Sequence, residues 1–307
     1  MARYGMTIPL DGVPLAQQRD WIRELADLGY TDLWSAEAGS TDGYTPLALA
    51  SQWAPEARLG CAILPAYTRG PALLAMSAAS LASAAPGRTV VGIGSSSNVI
   101  VEQWNGIAFR RPLAKVSTTV DYLRAVLAGE RGPGGFKLAS PPAAPVPIVL
   151  AALRERMLRL AGEVADGVFA NFLPLSGVEL VSKTFGRPEK ELACRFFSIH
   201  GAEDEAFALA KRTFVAYATV PVYSEFFRWL GHAEQIDPVV EAWNAGDRRL
   251  AVELAPEGLI RETFLLGPVE AQRERLAEFA AAGIQTGVLA ISCPPTEVPR
   301  VIDEFSP

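Results

Sequence analysis

Histidine and cysteine are scarce in this 307-residue chain. Two histidines, His200 and His232, are too few for a multi-histidine metal centre. The three cysteines, Cys61, Cys194 and Cys293, are odd in number and far apart. They form no disulfide framework and suit a reducing cytoplasm. An excess of positive charge is missing too: 28 Lys and Arg stand against 34 Asp and Glu, a net −6, which argues against a nucleic-acid-binding face. No apolar run approaches the roughly 18 residues that a membrane span needs. The opening Met1-Ala2-Arg3-Tyr4-Gly5 has neither a long apolar stretch nor a cleavage site, so no signal peptide is expected. What is present is apolar mass. Half of the chain is hydrophobic and a fifth is charged, which excludes a disordered tail and provides for a large core. A soluble cytoplasmic protein is the expectation, with one large domain or two modest ones.

Two kinds of apolar run alternate. Short β-rich runs at 3–8, 32–36, 58–64, 89–94, 146–151, 167–170, 194–200 and 287–292 read as buried parallel strands. Between them lie helical patterns. Trp21, Ile22, Leu25 and Leu28 share a face before Gly29; an alanine-rich stretch enters through Pro71; Val116, Val120, Leu123 and Leu127 repeat at helical spacing; and further patterns cover 157–165 and 270–282. Eight strands alternating with helices predict a closed (β/α)8 barrel or a doubly wound open sheet. The proline- and glycine-rich stretch 129–147 reads as a loop. The stretch 220–264, with Phe226, Phe227, Trp229 and Trp243, reads as a helical insertion before the last strand. Its aromatics suit packing, and its place suits a lid.

Read from residues alone, the chemistry is open. Gly92-Ile93-Gly94-Ser95-Ser96-Ser97 follows a strand but lacks the third glycine of a dinucleotide fingerprint. It is a tight turn, or a loop whose N–H groups and hydroxyls accept a phosphate. There is no P-loop and no nucleophile elbow. His200 ends a strand, where a structural or solvent-facing role is the ordinary one, and His232 has no candidate partner. Glu37 and Asp42 follow the second strand; a carboxylate there is a candidate base, although a lone one is ordinarily just solvated.

Several segments together carry a resemblance. Asp32-Leu33-Trp34-Ser35-Ala36-Glu37-Ala38-Gly39 resembles the second-strand signature of the bacterial luciferase-like monooxygenase superfamily, most closely its branch using the deazaflavin coenzyme F420. Ala62-Ile63-Leu64-Pro65 with Arg69-Gly70-Pro71, Gly87-Arg88 through Ser97, Val101 to Gly106, Arg111-Pro112-Leu113-Ala114 and Pro147 to Gly167 continue the match, which spans about residues 3–173. The resemblance implies a TIM barrel, here a single 1–307 domain with its insertion at about 220–264. It implies a cis peptide at Ala62–Ile63 supporting the cofactor's central ring. It also places Gly94, Ser95, Ser96 and Ser97 at the ribityl or phosphate portion, with Ala151, Ala152, Leu153 and Arg154 lining the same site and Asn171 touching its end.

One departure stands out. Relatives often place a histidine after the acidic residue at the end of strand two, whereas here Ala38 follows Glu37. Glu37 is thus the one catalytic candidate that the resemblance leaves, and the proton partner is unassigned. The expected activity is hydride transfer between coenzyme F420 and a small organic substrate, by a homodimer without metal, nucleic acid or membrane. The alternatives are an FMN-dependent monooxygenase and a non-catalytic flavin-binding barrel. A metal-dependent hydrolase is disfavoured by the two histidines.

Overall fold

A computed structural model describes residues 3–307. Met1 and Ala2, on which the expectation about a signal peptide partly falls, lie outside the described residues. The apolar runs become strands β1 (Arg3–Thr7), β2 (Asp32–Ser35), β3 (Arg58–Pro65), β4 (Thr89–Gly94), β5 (Ile148–Ala151), β6 (Gly167–Asn171) and β7 (Glu191–Ile199). After them come the two-residue β8 (Phe264–Leu265) and β9 (Thr286–Ser292). β1 to β7 pair in sequence, all parallel, and β9 pairs with both β7 and β1. The sheet therefore closes into an eight-stranded (β/α)8 barrel, and the open-sheet alternative is excluded. β8 is additional to the eight. Pairing of β6 with β7 stops at Asn171 and Arg195, and beyond it Phe197 and Ser198 pair with β8.

Helices α1 (Arg19–Asp27), α2 (Thr45–Trp53), α3 (Pro71–Ala84), α4 (Pro112–Leu127), α5 (Glu155–Val164) and α6 (Val178–Phe185) connect the first seven strands. α3 and α4 each start at a proline, whose missing N–H costs nothing in a first turn. The 129–147 stretch is a loop with one short 3-10 turn, as its composition predicts.

Five helices follow β7: α7 (Glu203–Ala218), α8 (Pro221–Trp229), α9 (Ala233–Asn244), α10 (Arg248–Glu253) and α11 (Glu257–Thr263). They share an apolar cluster of their own, including Phe214, Phe227, Ile236 and Ile260, which Phe172 and Phe264 join from the barrel. The 220–264 stretch is helical as expected, but α7 packs into the same cluster, so the helical unit begins earlier. The crossover that returns the chain to the barrel is α12 (Val269–Ala281), whose Phe279 ring lies 4.6 Å from that of Phe196 on β7. α13 (Val298–Glu304) ends the chain's regular structure.

Side chains alternate along each strand between the helix layer and the lumen. The lumen is layered. Its N-terminal end is ionic: Asp32 accepts hydrogen bonds from Arg3 and Arg58, Arg58 also donates to both oxygens of Glu191, and Thr286 donates to Glu191. Above lies an apolar layer of Trp34, Ala62, Val90, Val149, Phe169, Ala193 and Val288. At the C-terminal end Thr7, Ile63, Ala151, Asn171, Arg195 and Ala290 keep some exposure while their strand neighbours are buried. The lumen therefore opens at the C-terminal mouth, where barrels of this type place their sites.

Candidate active site

The residues singled out by sequence converge on that mouth. Ala62 is buried, Ile63 is half-buried, and the peptide between them is cis. The pairing of β3 with β4 shifts register between Cys61 and Leu64, so the strand bulges there. The carbonyl of Ile63 accepts from the Glu37 N–H at 3.3 Å, which ties the end of β2 to the bulge. A Cβ on Gly94 would stand 3.1 Å from Ile63 Cδ1 and from the Ala151 Cβ. Gly94 therefore lets the Ile63 side chain and Ala151 close together into one apolar shelf across β3, β4 and β5.

Beside the shelf is the serine loop. Ser96 has φ +62°, the left-handed region that only a minority of non-glycine residues adopt. Ser95 Oγ has a long bond of 3.3 Å to the Ser96 carbonyl. Ser97 differs in kind: its Oγ accepts from Ile100 N and opens the π-helical turn Val99–Trp104. On the other flank, Ala151 ends β5, Ala152 is buried, Leu153 is half-buried and Arg154 precedes α5. No side chain caps α5, so its first-turn N–H groups suit an anion. The Arg154 side chain meets Glu225 of α8 at 3.3 Å, both partly exposed. Asn171, at the end of β6, donates from Nδ2 to the Tyr223 hydroxyl at 2.8 Å, and its buried Oδ1 has no partner. Phe172 follows in the left-handed region at φ +52° and stacks on Tyr217, with ring centroids 4.0 Å apart.

Glu37 is firmly held. Arg69 donates to it from Nη2 at 2.7 Å and from Nε at 3.0 and 3.2 Å, and Gly43 N donates to Oε2 at 3.0 Å. Arg69 also reaches Asp42 at 3.4 Å. Its hydrogen bonds to Glu37 raise the pKa of the Arg69 guanidinium above its ordinary value. Next to the pair is a cavity of about 450 Å³ lined by Glu37, Gly39, Arg69, Leu73, Ile100 and Trp104. His200 faces away from the lumen: its Nε2 lies 2.7 Å from Ser198 Oγ, its ring meets Phe305, and burial holds its pKa below the ordinary value. That is the structural role. His232 bonds Gln235 at the surface.

Sequence reasoning missed Arg195, Tyr217 and Tyr223. Arg195 lies deep in the lumen on β7, where its Nη2 donates to the Ala62 carbonyl at 2.9 Å and its guanidinium stands 5.6 Å over the Phe169 ring. The signal was present as the two-residue alternation Glu191, Ala193, Arg195, Phe197, but the strand was expected to start at Cys194. A charged first residue looks like loop until the ionic lumen floor is known.

Residues 3–286 match the luciferase-like monooxygenase family. The chain belongs to that family. Membership makes it an enzyme of oxidation and reduction. Among its relatives is a Mycobacterium tuberculosis protein provisionally named a coenzyme F420-dependent oxidoreductase, 26% identical over 310 residues, covering 88% of this chain and 89% of that one. Among solved structures, the coenzyme F420-dependent tetrahydromethanopterin reductase of Methanopyrus kandleri superposes with a TM-score of 0.76 at 22% identity. An F420-dependent secondary alcohol dehydrogenase, solved with an F420–acetone adduct, does so with 0.78 at 16%. Each covers 99% of this chain and 97% of its own. A Pseudomonas putida Baeyer–Villiger monooxygenase solved with FMN also shares the fold, at 0.67 and 17% identity, covering 100% of this chain and 97% of its own. The likenesses to solved structures show the fold.

Proposed function

We propose that this luciferase-like enzyme is a coenzyme F420-dependent oxidoreductase acting on a small organic substrate. The observation that carries the reading is the shelf of Ile63, Gly94 and Ala151 at the open mouth: apolar, narrow and bare of side chain at its centre. A flat tricyclic ring needs such a surface, and the residues present fit it. Ala62 and Ile63 would support the ring. Ser95 and Ser96, with the uncapped start of α5 after Ala152, Leu153 and Arg154, would hold the ribityl and phosphate portion, and Ser97 would fix the loop through its bond from Ile100 N. Asn171 would border the same end. When bound, the deazaflavin supplies hydride chemistry; the protein supplies position and exclusion of water. α8 contributes to that exclusion, since Tyr223 and Glu225 reach Asn171 and Arg154 at the mouth. Glu37 serves through Arg69 and the bulge, because both its oxygens are already engaged.

The deciding experiment is separate titration of the purified protein with coenzyme F420 and with FMN, following ring fluorescence. Saturable binding of F420 in preference to FMN is expected. Binding of FMN alone would make the protein a flavin monooxygenase, and binding without turnover by any reductant would make it a non-catalytic barrel. The homodimer is proposed on exposed Leu73, Met76 and Trp104, and sedimentation velocity decides it.

A further inference from the structure

Two arginines reach into the lumen from either side of its apolar layer, and their surroundings are opposite. Arg58 is fully engaged, with Asp32 on one side and both oxygens of Glu191 on the other. Arg195 has no such partner. Among the described residues no carboxylate lies within 4.0 Å of it, and its one protein acceptor is the Ala62 carbonyl. Its Nε is buried with nothing to donate to. An unpaired charge far from bulk water is costly, and a site that carries one is arranged for a counter-charge from elsewhere. Burial accordingly depresses the pKa of this guanidinium.

The groups around Arg195 complete a recognition surface. Asn171 stands opposite it in register on β6; its Nδ2 donates to Tyr223 and keeps a second N–H for an anion, while its unsatisfied Oδ1 can accept only from a hydroxyl or N–H of the substrate. Tyr223 of α8 joins this strand end through its bond from Asn171, and the Tyr217 ring of α7 lies 5.1 Å from that of Tyr223. Cys61 and Cys194 are buried thiols facing outward, pushed towards the neutral form by burial, and offer no charge. Asp11, on the loop after β1, is the carboxyl whose field reaches Arg195 from the described residues; it stays at the rim beyond ion-pair distance. Some of the Arg195 surface remains accessible, so the unpaired group faces open lumen and not packed core. Its donation to Ala62 puts the charge directly beside the shelf.

We propose that Arg195, with Asn171 and Tyr223, is the anion-recognition site of the substrate pocket, and that the substrate is an organic acid whose carboxylate seats on this guanidinium. The inference rests on the oxidoreductase reading of the same mouth. Arg195 is a substrate-recognition residue; it fixes the acid's carboxylate next to the shelf and thereby places the neighbouring carbon for reaction. The half-buried rings of Phe197 and Tyr217, 6.1 Å apart, give the rest of the acid an aromatic wall.

The test uses matched probes on the whole protein: phenylacetate against phenylacetamide, and benzoate against benzamide, read by thermal shift with and without coenzyme F420. The acids should raise the melting temperature more than their amides, and Arg195→Met should weaken acid binding about tenfold or more, since a hydrogen-bonded ion pair is lost. Arg195→Lys should keep part of it. Without ligand, Arg195→Met should melt no lower than the wild type, whereas Arg58→Met should melt clearly lower. Equal protection by acids and amides, or an Arg195→Met protein as unstable as Arg58→Met, would overturn the proposal. The anionic oxygen could instead come from the reduced cofactor. If Arg195→Met weakens only reduced F420 while both proteins ignore the acids, the assignment to substrate is wrong. Failure of wild-type protein to bind F420 while acids still bind through Arg195 would sink the cofactor reading and leave the anion site standing.

Discussion

Arg69 clasps Glu37 with two nitrogens, Nη2 at 2.7 Å and Nε at 3.0 Å from the same carboxylate oxygen, in the cavity wall beside the Ile63 bulge. A carboxylate engaged this way is a poor proton carrier and a good brace. Glu37→Gln and Arg69→Ala should therefore lower activity to a similar extent. Their double-mutant cycle should give a coupling of about 1–2 kcal/mol in stability. If Glu37→Gln alone removes turnover while Arg69→Ala leaves it, Glu37 is a base after all.

Two glycines on β4 should respond unequally to the same substitution. A Cβ on Gly92 would fall on the Cys61 carbonyl oxygen, which is backbone and cannot move aside. A Cβ on Gly94 would meet side-chain atoms at 3.1 Å, which can give by a few tenths of an ångström. Gly92→Ala should destabilise by about 3 kcal/mol or more, while Gly94→Ala should cost about 1 kcal/mol. Gly94→Ala should nevertheless weaken cofactor binding about tenfold, because it displaces the shelf. Denaturant melts and fluorescence titration on the same samples separate the two effects.

The serine loop divides by role. Ser95→Ala with Ser96→Ala should lower cofactor affinity about tenfold or more, through lost hydrogen bonds to a charged group, with little change in melting temperature. Ser97→Ala should show the reverse, costing about 1 kcal/mol of stability through the lost bond from Ile100 N. Unchanged titration by the double variant would move the phosphate elsewhere.

Acid should attack the lumen floor. Burial pushes the Glu191 carboxyl up, but its bonds from Arg58 and Thr286 outweigh that and bring it below its ordinary value of 4.5. A depressed folded pKa contributes stability that is present above the unfolded value and lost as pH falls through the folded one. The chain should accordingly lose stability progressively below about pH 4.5, and Glu191→Gln should flatten that limb while lowering stability at pH 7. His200 adds an earlier step of the same sign. Its pKa lies below 6.5, so stability should begin to fall as pH drops through that value, and His200→Gln should remove this step. Thermal melts across pH check both.

How much of this was legible beforehand depended on whether the signal was local. Val90, Val91 and Ile93 of β4, like Leu33 and Trp34 of β2, are apolar because both faces of a barrel strand are covered, so continuous apolar runs marked these strands without further help. The Ala62–Ile63, Gly94 and Ala151 positions were legible through motif resemblance, and the structure brings all of them to one shelf. Glu191 and Arg195 were not legible in the same way. A charged residue such as Glu191 reads as a boundary unless its partner, 133 residues distant in Arg58, is known to face it, and Arg195, inside the expected strand, could not be assigned a side without that start. The insertion was expected to begin only at 220, after the seventh crossover, for a related reason: the apolar face of α7 is complemented by α8 to α11 and Phe172, which no local pattern announces.

By itself, then, the chain's sequence determined the alternation of strands and helices, which follows from periodicity, and, through motif resemblance, the place of the small residues at the shelf. Only the tertiary structure decided that Glu37 is clasped by Arg69, that Arg58 is neutralised at the lumen floor, and that Arg195 is not. Whether a charge is paired depends on groups far apart in sequence. Closing the barrel brings them together or leaves them alone.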